Sequence, residues 1–106
     1  MKSSDMSKVH TSNIYLKQKV LTATPEQLIT YIFDAGIAFC SRKDRIKSEN
    51  AVQELINALN FNEKELATTF FQVYRHIQFL IQNEQFDAAR DALSDLRTTW
   101  KPAMKQ

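Results

Sequence analysis

The chain has 106 residues, 43% hydrophobic and 25% charged, with a formal net charge of +2; this suits one globular domain and is too little charge to argue for nucleic acid. A single cysteine excludes an internal disulfide and fits a reducing compartment, and two histidines with no Cys/His cluster argue against zinc. One glycine and two prolines leave little for hairpins or phosphate loops, so an all-helical chain with short polar connections is expected.

Residues 1–12, "MKSSDMSKVHTS", are polar and aperiodic and read as a mobile tail. They hold no apolar core of a secretory signal, and nowhere in the chain is there an apolar run of about 18 residues to span a membrane. The domain is expected over 13–106. Residues 13–21 suit a short helix capped by Ser12 or Asn13, with Ile14, Val20 and Leu21 as its apolar contacts. Thr24 starts the main helix: it is a good N-cap, Pro25 suits the first helical position, and Gln27 completes a capping box. This helix should reach about Lys43. Asp44 or Ser48 caps the next, which ends near Leu59 and carries Val52, Leu55, Ile56 and Leu59. After the break "NFN", Asn62 with Glu65 opens a helix running to about Gln82. Past "NEQ", the last helix spaces Phe86, Ala89, Leu93, Leu96 and Trp100 three and four apart, and Pro102 should stop it. Short links imply antiparallel neighbours. The expected fold is all-α, an antiparallel four-helix bundle with a short extra N-terminal helix.

Two helices look too apolar for one core. On the Pro25 helix, Leu28, Ile29, Ile32, Phe33, Ile37, Phe39 and Cys40, with Ala35 and Gly36, cover roughly 200° of the wheel. Thr30, Tyr31 and Asp34 take what remains. On the helix before Gln82, Leu66, Phe70, Val73, Tyr74, Ile77 and Ile81 form a core face, with Phe71 and Phe79 beyond it and Arg75 between them. Scattered apolar surface is ordinary; a contiguous strip would instead be a groove for a partner's amphipathic helix. Gly36 costs a helix about 1 kcal/mol against alanine, which close approach of a partner's backbone or close packing inside the bundle would each explain.

Catalytic chemistry is not apparent. No Glu-x-x-His pair, Walker loop, nucleophile elbow or zinc signature occurs. Cys40 reads as a buried small hydrophobe, His76 as solvated, and His10 as part of the tail. The basic run Arg42, Lys43, Arg45 and Lys47 contains Asp44, is followed by Glu49, and reads as a solvated turn. No enzyme activity, cofactor or metal is expected.

Residues 14–101 resemble the flagellar export chaperone FliS family. That family carries a tyrosine and a Lys-Gln pair before a "VLTAxPExL" segment; here these are Tyr15, Lys17, Gln18 and "VLTATPEQL", residues 20–28. "FDAG", Phe33 to Gly36, stands where the family has Tyr-Asp-Gly-Ala, with Gly and Ala exchanged and Phe for Tyr. "LRTTW", with Leu96, Arg97 and Trp100, matches the family's Leu-Arg-x-x-Trp. The connection after the Pro25 helix is shorter than the family's by roughly two helical turns on each side. The resemblance implies a cytoplasmic chaperone that binds the C-terminal segment of flagellin, prevents premature polymerisation and delivers it to the type III export gate. Client contacts then fall to Ile14, Tyr15, Val20, Leu21, Phe33, Asp34, Phe71, Arg75 and Phe79. Thr24, Pro25, Gln27, Gly36, Arg97 and Trp100 carry the motifs. The segment around Ile14 and Tyr15 would cover the empty groove. A structural homodimer or adaptor without a flagellin client is the competing reading.

Overall fold

The computed structural model describes residues 24–104, with side chains through Trp100. The expected tail over 1–12 and the helix over 13–21, with Ile14, Tyr15, Val20 and Leu21, lie outside the described residues. Within them the chain forms α1 (Pro25–Ser41), α2 (Arg45–Asn57), α3 (Lys64–Gln82) and α4 (Phe86–Met104), with no strand. Neighbours in sequence pack together and α4 returns to α1, so the four helices form a ring in chain order.

The helix starts follow from local chemistry. At α1 the N–H of Gln27 donates to Thr24 Oγ1 at 3.1 Å, and the N–H of Thr24 donates to Gln27 Oε1 at 3.0 Å. This is the capping box the sequence announces. Asp44, not Ser48, caps α2, accepting from the N–H of Lys47 at 3.1 Å. Ser48 is instead fully buried, its hydroxyl donating to the carbonyls of Asp44 and Arg45. The expected cap of α3 is corrected. Its N-cap is Glu63, without a side-chain bond, while Asn60 Oδ1 accepts from the N–H of Asn62 at 3.0 Å to hold the preceding turn. The end of α4 is corrected too: the helix passes Pro102 and runs to Met104. The proline removes one N–H, but so close to the helix end that little hydrogen bonding is left to lose.

Two tight turns close one end of the bundle without glycine. The N–H of Asp44 donates to the Phe39 carbonyl, and that of Lys43 to Cys40, both at 3.0 Å. The N–H groups of Gln85 and Glu84 repeat the pattern onto Leu80 and Ile81, at 2.8 and 2.9 Å. These are Schellman closures, which need a left-handed residue just past the helix. Lys43 (φ 57°) and Glu84 (φ 59°) supply it, each at a steric cost that glycine would not incur.

The core gathers Phe33 and Cys40 of α1, Val52 and Leu55 of α2, Tyr74, Ile77 and Ile81 of α3, and Phe86, Ala89 and Leu93 of α4. Phe33 is fully buried in it, its ring centroid 6.3 Å from that of Tyr74 and 6.1 Å from that of Trp100. Gly36 is needed here: a Cβ would lie 3.2 Å from Leu93 Cδ1 and 3.5 Å from the Cβ of Ala51. Close packing inside the bundle, rather than a partner's backbone, accounts for this glycine. Between α2 and α3 runs a polar seam. Arg75 Nη1 donates to Gln78 Oε1 at 3.1 Å, and the buried Gln78 donates from Nε2 to Gln53 Oε1 at 3.2 Å. Gln78 is thereby satisfied at both ends of its amide, as a buried polar group must be.

The other end of the bundle is looser. The six residues 58–63 link α2 to α3, and a recess of about 210 Å³ opens beside them between Ile29, Leu59, Leu66, Phe70 and Trp100. Leu66, expected in the core, is therefore 53% exposed on its rim.

Candidate functional site: an apolar groove between α1 and α2

The breadth of apolar surface on α1 resolves into two sides. Phe33, Gly36 and Cys40 face the core. Around the helix from them, Ile32, Ala35 and Phe39 stand at i, i+3 and i+7, all half-buried, with Tyr31 beside them. Together with Lys47, Asn50, Ala51 and Glu54 of α2 they line an open groove of about 270 Å³ on the outside of the bundle. Leu28, also half-buried, precedes Ile32 by one turn.

The groove lies where α1 and α2 pack side by side through small residues. The three-residue turn 42–44 sets them antiparallel, and Gly36 opposite Ala51 lets their backbones approach. Small side chains at Ala35 and Ala51 then leave a shallow floor. Phe39 closes the turn end, with Lys47 Nζ held 5.7 Å from its ring centroid, a cation–π contact. Along α2, Lys47 and Glu54 lie seven positions, about two turns, apart and so share one face.

The sequence-based contacts land elsewhere. Phe33 is wholly buried, so it is a core residue and not a contact surface. Asp34 faces α4, where Arg97 Nε approaches its Oδ1 at 2.6 Å and Nη2 reaches Oδ2 at 3.4 Å. The Nε approach is off the hydrogen-bond direction, so the contact is an ion pair held mainly by charge. Arg97 and Trp100, three apart on one face of α4, thus tie α1 from outside and from the core. Phe71 (38% exposed) and Phe79 (57% exposed) do lie beyond the core, as their positions on the wheel suggest. They occupy the outer edge of α3, with Arg75 turned toward the Gln78–Gln53 seam and His76 stacked on Phe79 at 6.4 Å. None of the three lines the α1–α2 groove; α2 stands between. None of the residues that line the groove is among the sequence-based contacts. In the sequence, Tyr31 and Lys47 read only as polar or basic surface, and Ile32, Ala35 and Phe39 only as part of the wide apolar face of α1. Their signal was the angular spread on α1, which identifies a second apolar side but not the helix that borders it.

Cys40 is buried, and burial pushes its thiol up from the ordinary value, a shift partly offset by a hydrogen bond with Ser48 and by the charge of Arg90. Burial raises the Tyr74 phenol as well. Neither adjoins the groove. Among the described residues no group of three or more His, Cys, Asp or Glu side chains is placed to hold a metal ion, and no helix is long and apolar enough to cross a membrane.

Comparisons with family models, with curated proteins and with solved structures found no match to this chain.

Proposed function

We propose that the protein is a cytoplasmic export chaperone that holds the C-terminal segment of flagellin as a helix against α1 and α2. The observation that carries the reading is the second apolar side of α1, open to the outside between Ile32, Ala35, Phe39 and the α2 face. A bundle with no partner gains nothing from leaving such a strip in water, whereas an amphipathic helix laid in it buries its own apolar face. The motif "VLTATPEQL" and the Arg97–Trp100 spacing support the same reading by resemblance. The role is binding without catalysis: the client is kept from polymerising and is passed to the export gate.

The test is to measure the protein's size in solution alone and then with a peptide of the flagellin C-terminal segment. A monomer that forms a one-to-one complex, and loses it when Ala35→Trp fills the groove, is the expected result. A stable dimer that ignores the peptide would instead favour a structural homodimer.

A further inference from the structure

The groove is apolar on one bank and charged on the other. On the α1 bank stand Ile32, Ala35 and Phe39; on the α2 bank Lys47 and Glu54 mark its two ends, with Asn50 and Ala51 between. Lys47 is not a stray surface charge, because its ammonium is drawn over the Phe39 ring and so over the groove. Ala35 and Ala51 set a floor that suits close helix packing, at the short end of the roughly 8–10 Å interaxial range. A helix entering there meets a positive group at the turn end and a negative group about two turns away.

We infer that the groove selects a helix whose contact stripe is small and apolar and is bracketed by an acidic residue against Lys47 and a basic residue seven positions away against Glu54. The inference rests on the proposed function only in taking the partner to be helical. Both flanking pairs are near solvent, so they select partner and direction more than they add affinity. Direction matters for a segment that must be held in one register. A partner helix laid the wrong way would put like charges together at both ends of the groove, which each position disfavours.

Three synthetic helical peptides test this. They share one Ala/Leu contact stripe and differ at two flanking positions seven apart: Glu and Lys, Glu and Glu, or Lys and Lys. Affinities are measured by fluorescence anisotropy for the wild-type full chain and for Lys47→Glu and Glu54→Lys, with circular dichroism confirming the fold. The wild type should prefer the Glu/Lys peptide by roughly two- to tenfold at low salt, the size expected of two exposed ion pairs. Lys47→Glu should shift the preference to Lys/Lys, and Glu54→Lys to Glu/Glu. About 1 M salt should erase all three preferences. The same ranking in all three proteins would overturn the inference. So would undiminished binding in a folded Ala35→Trp variant, or a dimer that the peptides dissociate, since a second copy would then own the groove. The flagellin peptide is titrated in parallel to separate the two claims. Matched preferences without flagellin binding would uphold the groove and discard the chaperone reading. Flagellin binding that ignores Ala35, Lys47 and Glu54 would do the reverse.

Discussion

Gly36 of α1 and Leu93 of α4 are in contact across the core so closely that one added methyl group would stand 3.2 Å from Leu93 Cδ1. Two effects of Gly36→Ala therefore oppose each other. Alanine gains about 1 kcal/mol of helix propensity, while the fully buried Leu93 must shift by a few tenths of an ångström. The net change is expected to fall within about 1 kcal/mol of zero. Gly36→Leu has no such offset and should cost roughly 1–3 kcal/mol or more by overpacking. Thermal melts of the two variants check the contrast; equal, small effects would mean that the α1–α4 interface is loose.

Phe33 and Phe79 make a second contrast, between a buried ring and an exposed one. Phe33→Ala empties the centre of the core and is expected to cost about 3–5 kcal/mol. Phe79→Ala removes a ring that is 57% exposed and should cost below about 1 kcal/mol. Urea unfolding measures both. Phe79→Ala should also leave binding of the flagellin peptide unchanged, because the ring lies across α2 from the groove. A loss of affinity there would mean that the partner wraps onto α3 as well.

The two left-handed closures offer a gain in stability. Lys43→Gly and Glu84→Gly each relieve a side chain held at positive φ. Against this stands the greater freedom of glycine in the unfolded chain. Each change is expected to stabilise by roughly 0.5–1 kcal/mol. A shift of the urea midpoint to lower concentration in either variant would contradict this account of the turns.

At the other end of α1, Thr24→Ala should cost about 1 kcal/mol by removing the acceptor for the Gln27 N–H. Flagellin-peptide affinity should hardly move. If affinity falls sharply while the melt is unchanged, the "TPEQ" segment is itself a contact surface.

Burial of Cys40 fixes a pH dependence. Its folded value is raised above the ordinary 9.0, so the folded state keeps its proton longer than the unfolded state does. The stability this represents is whole below about pH 9 and is lost as pH rises through the folded value. Tyr74, raised in the same sense from 10.0, adds to the decline higher up. The contribution of these two groups should therefore be level up to about pH 8.5, and stability should fall above it, with the first part of that fall flattened in Cys40→Ala. The native thiol should also react slowly with a disulfide reagent and quickly in denaturant, because the thiolate is scarce and shielded.

The local order of this protein was legible in its sequence because helix starts and apolar spacing are short-range chemistry. Thr24, Pro25 and Gln27 specify the start of α1 within four residues, while for α2 the sequence offers Asp44 or Ser48 and the structure selects Asp44. Spacing of three and four placed Val52, Leu55, Ile77 and Leu93 in the core, where they are. The sequence failed where the answer depends on a neighbour. Leu66 has the spacing of a core residue, but the loose 58–63 connection leaves it on the rim of a recess. Phe33 carries a motif position suggestive of contact, yet Tyr74 and Trp100 enclose it. The excess apolar surface of α1 was written in its own residues. That Ala51, Lys47 and Glu54 of α2 would make it a groove, while Phe71 and Phe79 would end up on another face, was decided only by tertiary packing, because a helical wheel gives each side chain an angle about its own axis but not the helix that stands opposite.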